Sequence, residues 1–331
     1  MAVKVAINGL GRIGRCVARI VADRDDVELV AANASGSEEM IQYNLRYDTV
    51  HGNRADIKVE DGFIYIGKDK AKLLAERDPA KLNFAEYGAD VVLECTGAFL
   101  TQEACQAYVD NGVKKVVMSA PAKDDTPTFV MGANEETYAG QSIVSNASCT
   151  TNGLAPVAKV LDDSFTIEKG LMTTIHSYTS SQPILDAKDK KDPRKGRAGA
   201  TNLIPASTGA AKAIGKVMPH LNGKLNGQAI RVPTPNVSLV DLTVTLGKNA
   251  SLEEVQAAFT EASNGSLKGI LGVDVEGRVS SDFIGESLST VVPLDTIQVI
   301  EDNMVKVLSW YDNEWGYSTR LVDMGVHVAT N

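Results

Sequence analysis

The fold is decided by the stretch Val3-Lys4-Val5-Ala6-Ile7-Asn8-Gly9-Leu10-Gly11-Arg12-Ile13-Gly14, which joins an apolar run to three glycines spaced Gly-x-Gly-x-x-Gly. The run predicts a buried strand, the apolar residues after it predict a helix, and 27–32 predicts a second strand. In this context the motif indicates a dinucleotide-binding domain. Gly9 and Gly11 would let the backbone approach a pyrophosphate, which rests on the helix N-terminus. The alternative is a glycine-rich turn with a packing role only.

The second predicted strand ends in Asn33-Ala34-Ser35-Gly36. Sites for NAD usually place an Asp or Glu here, where its carboxylate binds the ribose 2′-hydroxyl. A carboxylate would also repel the 2′-phosphate of NADP, so Ala34 removes that obstacle. Alternatively, Ala34 has no consequence and Asn33 suffices for the ribose. The sequence leaves both interpretations open.

Two later predicted strands also end in small or polar residues. The apolar run 91–95 leads into Thr96-Gly97, and 116–118 leads into Ser119-Ala120-Pro121. Such strand ends fit a parallel sheet whose carboxyl ends line a crevice, although ordinary turn chemistry is an alternative.

A second stretch, Ser145-Asn146-Ala147-Ser148-Cys149-Thr150-Thr151-Asn152-Gly153, follows a short strand pattern and precedes apolar residues at helical spacing. A helix N-terminus carries partial positive charge, which favours a thiolate. The polar neighbours argue against burial of Cys149 in an apolar core, so we interpret Cys149 as a nucleophile. The alternative is that Ser148 caps the helix and Cys149 is a small filler residue.

A base for this thiol is predicted at His176, which follows the apolar strand pattern 170–175 and precedes hydroxyl residues. Histidine is the usual partner of a nucleophilic cysteine. A lone histidine is more often a structural hydrogen-bonding residue. His51, His220 and His327 lack comparable neighbours, and we interpret them as surface or structural residues.

Candidate anion sites lie in the second half of the chain. The segment 180–202 is polar and rich in Lys and Arg, Lys191 included, and a loop of this length is usually functional, although a solvated charge run is the alternative. Ser207-Thr208-Gly209 is predicted to open a helix, and hydroxyl groups at a helix start indicate an anion site or simple N-capping. Arg231 stands among apolar residues and requires an anionic partner, either a structural carboxylate or a substrate phosphate.

Composition limits the class of protein. The 331 residues suffice for two domains, and the net charge of -9 makes a general nucleic-acid or membrane-surface role unlikely. The four cysteines form no CxxC pair, which argues against zinc and against a disulfide framework. No signal-peptide pattern and no continuous apolar run of about 18 residues occurs, so a cytoplasmic protein is expected.

The motifs together resemble phosphorylating glyceraldehyde-3-phosphate dehydrogenase. The matching segments are the glycine motif 8–15, the Cys149 block 145–152, and 207–212, 231–237 and 310–314. The resemblance implies an α/β fold: a Rossmann dinucleotide-binding domain in residues 1–148 and an α+β catalytic domain with a mixed, largely antiparallel sheet in 149–312. It also implies that a C-terminal helix in 313–331 returns to the first domain, and that four chains form a homotetramer.

Residue roles follow from the resemblance position by position. Cys149 would be the nucleophile and His176 its base. Cofactor contacts are implied for Gly9, Gly11, Arg12, Ile13, Asn33, Ala34, Arg77, Ser119, Asn313 and Tyr317. Contacts to the substrate phosphate or to attacking inorganic phosphate are implied for Ser148, Thr150, Thr179, Arg197, Thr208, Gly209 and Arg231. No metal is implied.

Three positions depart from the family pattern. Many members carry a second cysteine where Gly153 stands, so a local disulfide with Cys149 cannot form here. The position of the NAD-selecting aspartate holds Ala34, and NAD-preferring members tend to have a Leu-Pro or Gly-Pro pair at Ala187-Lys188. The last two departures predict use of NAD, NADP or both.

The implied reaction is the reversible oxidative phosphorylation of glyceraldehyde 3-phosphate to 1,3-bisphosphoglycerate, in glycolysis or gluconeogenesis. The partners would be that aldehyde and inorganic phosphate. One alternative is a relative that oxidises a longer phosphorylated aldehyde such as erythrose 4-phosphate. Another is a nucleotide- or RNA-binding paralogue without activity, against which the intact Cys149, His176 and Asn313 argue.

Overall fold

The computed structural model describes residues 2–190 and 192–331, so Lys191 of the basic segment lies outside the described residues. The chain divides into two compact units. The first runs to Ser148 and includes Ser318–Asn331, and the second is Cys149–Tyr317. Among the described residues, no helix is long and apolar enough to cross a membrane.

The first unit is built on a sheet of eight described strands in the order β3-β4-β5-β2-β1-β6-β7-β8. Their bounds are β1 Val3–Asn8, β2 Val27–Asn33, β3 Ile57–Glu60, β4 Phe63–Ile66, β5 Asp69–Leu74, β6 Val91–Glu94, β7 Lys115–Met118 and β8 Ile143–Ser145. In this order, the strands from β5 to β8 run parallel, and β4 pairs antiparallel with β3 and β5. The chain leaves β1 for β2 on one side and later reaches β6 on the other. In doubly wound sheets such a switch point is where ligands bind.

The predicted glycine motif forms the connection between β1 and the first helix. The helices of this unit are α1 Arg12–Ala22, α2 Glu38–Arg46 and α3 Gln102–Asp110. Gly9 has a φ of +96°, a conformation that glycine adopts without strain. A Cβ at Gly14 would lie 1.9 Å from the carbonyl oxygen of Gly9, so the close packing of helix on strand requires glycine there. Both requirements are those of the Rossmann motif.

The end of the chain packs on the first unit through its last helix, α7 Trp315–Thr330. Asp323 forms an ion pair of 2.5 Å with Arg24, and Tyr138 donates to the carbonyl oxygen of Val328 at 3.3 Å. A Cβ at Gly325 would lie 3.0 Å from the side chain of Leu93.

The second unit is built on a sheet ordered β10-β11-β9-β12-β16-β14-β13, with β15 beside β16. The strands are β9 Ile167–Ser177, β10 Ile204–Ser207, β11 Leu225–Val232, β12 Ser238–Leu246, β13 Leu271–Asp274, β14 Thr290–Pro293, β15 Gln298–Ile300 and β16 Met304–Tyr311. The pairs β9–β11 and β13–β14 are parallel and the others antiparallel. The helices are α4 Cys149–Phe165, α5 Ala210–Val217 and α6 Leu252–Asn264. The predicted fold class is confirmed.

Two local predictions need correction. Ser207 does not open a helix, because it is the last residue of strand β10, and α5 begins three residues later with Gly209 as its N-cap. The segment 180–202 is not wholly irregular, since Pro193–Gly196 forms a turn of 3-10 helix. Ser251-Leu252-Glu253-Glu254 has the sequence signature of a helix start, and the structure begins α6 there with a capping box between Ser251 and Glu254.

Candidate active site

The first unit has a cavity of about 480 Å³ at the carboxyl ends of β1, β2 and β6. Five of the predicted cofactor residues line it: Gly9, Gly11, Asn33, Ala34 and Arg77. The complete lining is Asn8, Gly9, Leu10, Gly11, Asn33, Ala34, Ser35, Glu76, Arg77, Cys95, Thr96, Ala98 and Phe99. Helix α1 begins beside this cavity, and its N-cap Gly11 provides no side-chain hydrogen bond to the first N–H groups. Those N–H groups are the donors that a pyrophosphate requires, so the residues present fit a dinucleotide.

Arg12 and Ile13 occupy the first two positions of α1, and both are half-buried. The Arg12 guanidinium is held by Asp48, with an Nη1–Oδ2 distance of 2.5 Å. Burial of Asp48 opposes its ionisation, but this bond and the backbone N–H groups of His51 and Val50 lower its pKa to about 2. The side-chain charge of Arg12 is therefore already compensated, and the contact that it offers a pyrophosphate is its backbone N–H.

Asn33 ends β2 with every polar atom of its amide in use. Its Nδ2 donates to Asn8 Oδ1 at 2.7 Å and to the carbonyl oxygen of Glu76 at 2.8 Å. Its Oδ1 accepts from the backbone N–H of Glu76 at 2.9 Å. The next residue, Ala34, is half-buried and brings no carboxylate to the cavity.

Sequence reasoning missed Glu76, which lines the same cavity. Its Oε1 accepts from the backbone N–H groups of Asp78 and Arg77 at 2.9 and 2.7 Å, and these bonds hold the pKa of its carboxyl below the usual range. Ser119 follows β7 and donates its backbone N–H to the carbonyl oxygen of Glu94 at 2.9 Å, but it is not part of the cavity lining.

The second unit brings the predicted nucleophile and base together. Cys149 is the first residue of α4 and is partly exposed, whereas His176 lies near the end of β9 and is 4% exposed. Cys149 Sγ is 3.5 Å from His176 Nε2. His176 Nδ1 lies 2.7 Å from the carbonyl oxygen of Ser177, which can only accept, so we assign the ring proton to Nδ1. Nε2 then directs its lone pair at the thiol.

Burial changes the pKa of both members of this pair. Burial lowers the pKa of His176 to about 3, and the charge of Arg231 adds to this effect. Burial also raises the pKa of the Cys149 thiol, although Arg231 and Thr150 oppose the change. At Cys149 burial outweighs the backbone N–H groups of the helix start, which lower the pKa. Transfer of one proton from Sγ to Nε2 would create thiolate and imidazolium together, so that each charge would compensate the other.

Arg231 reaches this pair from the neighbouring strand, because β11 pairs with β9 in a register that sets Arg231 opposite His176. Its Nη1 lies 3.0 Å from His176 Nδ1 and donates to the carbonyl oxygen of Ser177 at 3.0 Å. Within the described residues its guanidinium contacts no carboxylate, so the structural ion pair considered from the sequence is not formed.

The other predicted phosphate ligands have local partners. Arg197 forms a 2.7 Å ion pair with the exposed Asp186, and Thr208 Oγ1 accepts from Ala210 N at 3.2 Å. Thr179 Oγ1 lies 2.9 Å from Ser181 Oγ, two residues beyond the end of β9. Gly209 is exposed as the N-cap of α5, and Ser148 is half-buried.

Tyr311, which sequence reasoning also missed, packs against the ring of His176, with 5.9 Å between the ring centroids. Its hydroxyl lies 2.9 Å from Thr150 Oγ1 and 2.7 Å from Thr174 Oγ1. The Thr150 hydroxyl is thus engaged inside the unit. The Tyr311 ring covers Gly153, where a Cβ would lie 3.0 Å from the ring. A cysteine at 153 would therefore require the ring to move.

Asn313 and Tyr317 follow β16 at the start of α7. Asn313 is 6% exposed, and its Oδ1 accepts from Ser238 Oγ at 2.7 Å, which turns its NH₂ group away from Ser238. The adjacent Asp312 accepts from the backbone N–H groups of Trp315 and Glu314 at 2.7 and 2.8 Å and so caps the helix. Tyr317 is 4% exposed.

Comparison with known proteins matches both halves of the chain. Residues 3–102 match the model of the glyceraldehyde 3-phosphate dehydrogenase NAD binding domain, and 148–313 match that of the C-terminal domain. The chain is 52% identical over 330 residues to glyceraldehyde-3-phosphate dehydrogenase of Shimwellia blattae, covering 99% of this chain and 100% of the relative. It is 51% identical, with the same coverage, to glyceraldehyde-3-phosphate dehydrogenase A of Escherichia coli K12 and to the enzyme of Salmonella typhimurium.

Proposed function

Because the chain belongs to the glyceraldehyde-3-phosphate dehydrogenase family, we propose that it oxidises glyceraldehyde 3-phosphate to 1,3-bisphosphoglycerate through a thioester on Cys149. It is an enzyme of the NAD-dependent dehydrogenase class. The observation that carries the mechanism is the 3.5 Å approach of Cys149 Sγ to His176 Nε2, with the ring proton held on Nδ1. This arrangement gives a nucleophile and a base whose ring is fixed by a third group.

The first half of the reaction is acylation of Cys149. His176 Nε2 takes the proton from Sγ as sulfur attacks the aldehyde carbon, which forms a hemithioacetal. Nε2 returns that proton to the aldehyde oxygen, which becomes the hydroxyl group of the hemithioacetal, and then accepts the same proton again as the hydride departs. NAD, when bound, would supply the hydride acceptor, and Gly9, Gly11, Asn33 and the first N–H groups of α1 would hold it. A thioester remains on Sγ.

The second half is phosphorolysis of the thioester. An oxygen of inorganic phosphate attacks the carbonyl carbon, the carbon–sulfur bond breaks, and the electron pair returns to Sγ. The acyl phosphate leaves. The imidazolium of His176 compensates the charge of the restored thiolate. We propose that Thr179 and Arg231 bind the substrate phosphate, and that Ser148, Thr208, Gly209 and Arg197 belong to the site of the attacking phosphate.

Arg197 must exchange its contact to Asp186 for phosphate if it acts in that site. Both side chains are 59% exposed, so the existing ion pair is weak and the exchange costs little. Thr150 contributes its backbone at the start of α4, since its hydroxyl already faces Tyr311.

An assay of cofactor reduction tests the proposal. Purified protein with glyceraldehyde 3-phosphate and NAD is expected to turn over only when inorganic phosphate is present. Faster turnover of erythrose 4-phosphate than of glyceraldehyde 3-phosphate would make erythrose 4-phosphate the proposed substrate. No turnover of either aldehyde would overturn the proposal that the protein is an enzyme. We also propose a cytoplasmic homotetramer, for which sedimentation should show a species of four chain masses.

The first mutational prediction concerns Arg231. Arg231→Ala should lower kcat/KM for glyceraldehyde 3-phosphate by about 10- to 100-fold, because a charge-assisted contact of about 1.5–3 kcal/mol is lost. The rate with unphosphorylated glyceraldehyde should change much less. Removing this cation should also raise the pKa of His176, because Arg231 lowers it, so activity should fall off at a higher pH on the acid side.

Arg231→Lys is the matched control for charge, since it keeps a cation without the planar fork of donors. It should recover part of the preference for the phosphorylated aldehyde. If Arg231→Ala keeps the full wild-type preference, Arg231 does not bind the substrate phosphate.

A second prediction concerns cofactor choice. We propose that the chain reduces NADP as well as NAD, because Ala34 places no charge beside the ribose. Ala34→Asp should shift the ratio of kcat/KM values toward NAD by at least about tenfold, or 1.4 kcal/mol. Ala34→Asn introduces a side chain of the same shape as aspartate but without its charge, so it should shift this ratio less.

Two outcomes would count against this cofactor proposal. Wild-type protein without a measurable rate with NADP would contradict the use of both cofactors. The first explanation of that result would be repulsion of the 2′-phosphate by Glu76, the carboxylate that already lines the cavity. An unchanged ratio in Ala34→Asp would mean that position 34 does not face the 2′ group.

A further inference from the structure

Glu94, the last residue of β6, is a fully buried carboxylate that the reaction above does not use. Its Oε2 accepts from Asn8 Nδ2 at 2.7 Å and from the Tyr108 hydroxyl at 2.8 Å. Its Oε1 accepts from the backbone N–H of Thr96 at 2.8 Å and from the Thr96 hydroxyl. Four donors therefore converge on one carboxylate. Burial raises its pKa, and all four hydrogen bonds oppose that change.

This carboxylate fixes the orientation of the Asn8 side chain. Asn8 Nδ2 points to Glu94 Oε2 and to the Tyr108 oxygen, each at 2.7 Å, and only the NH₂ side of the amide can donate there. Asn8 Oδ1 must then face the other way, where it accepts from Asn33 Nδ2 at 2.7 Å. Asn8 is 1% exposed, so water does not compete for either contact.

The orientation of Asn8 in turn fixes the orientation of the Asn33 side chain at the rim of the cofactor cavity. With its NH₂ group directed at Asn8, the same group donates to the carbonyl oxygen of Glu76 and its Oδ1 accepts from the N–H of Glu76. The backbone of Glu76 is thereby held by one donor and one acceptor. Glu76 and Arg77 line the cavity together with Asn33 and Ala34.

We propose that Glu94 is a positioning residue for the ribose end of the cofactor site, acting through Asn8 and Asn33. The inference rests on the proposed function, because it takes this cavity as the dinucleotide site. Glu94 touches neither cofactor nor substrate. Both of its carboxylate oxygens accept hydrogen bonds, and this keeps the side-chain amides of Asn8 and Asn33 and the backbone of Glu76 in a single hydrogen-bonded arrangement.

The acceptor-only character of Glu94 is what the role requires. A glutamine has the same shape but presents an NH₂ group to one pair of donors. The Thr96 backbone N–H cannot become an acceptor, so the glutamine NH₂ must face Asn8. Asn8 would then turn its Oδ1 inward and Asn33 would turn its Oδ1 toward Asn8. Asn33 Nδ2 would meet the N–H of Glu76, and donor would face donor at the cavity rim.

The test is equilibrium binding of NAD and of ADP-ribose to Glu94→Gln, measured by titration calorimetry. We expect the Kd for both ligands to rise at least about tenfold. The kcat at saturating NAD should stay within about twofold, because the reacting end is not involved. Unchanged Kd values in a folded variant would overturn the proposal, even if its melting temperature falls.

Tyr108→Phe is the matched control. It removes one donor from the same carboxylate and one of the two acceptors of Asn8 Nδ2, but the bonds from Asn8 to Glu94 and from Asn33 to Asn8 remain. It should lower the melting temperature and leave both Kd values within about twofold of wild type. A rise in Kd as large as that of Glu94→Gln would show that any disturbance of Glu94 weakens cofactor binding. That result would overturn the proposal that Glu94 acts through Asn8 and Asn33.

Two further variants keep the proposal testable if Glu94→Gln does not fold. Asn8→Ala breaks the path while Glu94 keeps three donors, and it should raise both Kd values similarly; wild-type affinity would overturn the proposal. In a double-mutant cycle, the effects of Asn8→Ala and Asn33→Ala on NAD binding should be less than additive. Wild-type protein that binds neither ligand would instead count against the proposed function.

Discussion

Cys149→Ala is expected to abolish aldehyde oxidation and to leave NAD binding intact. The thiol is the only group that the mechanism gives for holding the acyl intermediate, so its removal should lower kcat by at least about 10⁴-fold. NAD binding should persist, because the cofactor cavity is lined entirely by residues of the first unit. The measurements are cofactor reduction at saturating substrates and calorimetric titration with NAD.

Cys105→Ala is the control for a cysteine substitution as such, since Cys105 is a buried thiol on α3 outside the cavity lining. It should keep wild-type kcat. Turnover above a few per cent in Cys149→Ala would reject Cys149 as the nucleophile.

His176→Asn is expected to lower kcat by about 10²- to 10⁴-fold, which is the usual contribution of a general base. The thiol loses the acceptor of its proton at 3.5 Å and is left with a pKa that burial raises. The thiolate fraction at neutral pH must therefore fall. Alkylation of Cys149 by iodoacetamide should be slower at pH 7, and its rate should reach a plateau at a higher pH than in wild type.

The amide that His176→Asn introduces can still accept a hydrogen bond but cannot take the proton. The variant therefore removes the base while it keeps a hydrogen-bonding side chain at this position. An alkylation profile with unchanged rate and midpoint would mean that His176 does not control the thiol. The same profile in Arg231→Lys should stay close to wild type, since the cation beside the pair is kept.

Local patterns predicted the elements whose apolar residues carry the signal. The strand before Gly9, the helix after Gly11 and the capping box at Ser251 all lie where the sequence places them. Strand β5, Asp69–Leu74, was missed because its pattern is polar: the buried Asp69 accepts from the N–H of Leu29 and forms an ion pair with Lys68. Strand β10 contains Pro205 and pairs with β11 alone, so its existence depends on that neighbour rather than on its own residues.

The sequence predicted those parts of the candidate site that have a local sequence pattern. Cys149 lies at a helix start, His176 lies near a strand end, and the glycine motif lies at the cofactor cavity. The contact of Arg231 with the pair depends on the register of β11 against β9, which joins residues 55 positions apart. Glu94 and Tyr311 were missed for the same reason, because their partners come from distant segments.

The most direct test of the account is the first turnover in the absence of inorganic phosphate. Enzyme mixed with NAD and glyceraldehyde 3-phosphate should release a burst of about one NADH per chain, because the thioester accumulates when it cannot be phosphorolysed. Mass spectrometry of the quenched protein should place the acyl group on the peptide that contains Cys149. Added phosphate should then restore turnover. Full turnover without phosphate, or an acyl group on Cys16, Cys95 or Cys105 instead, would contradict the account.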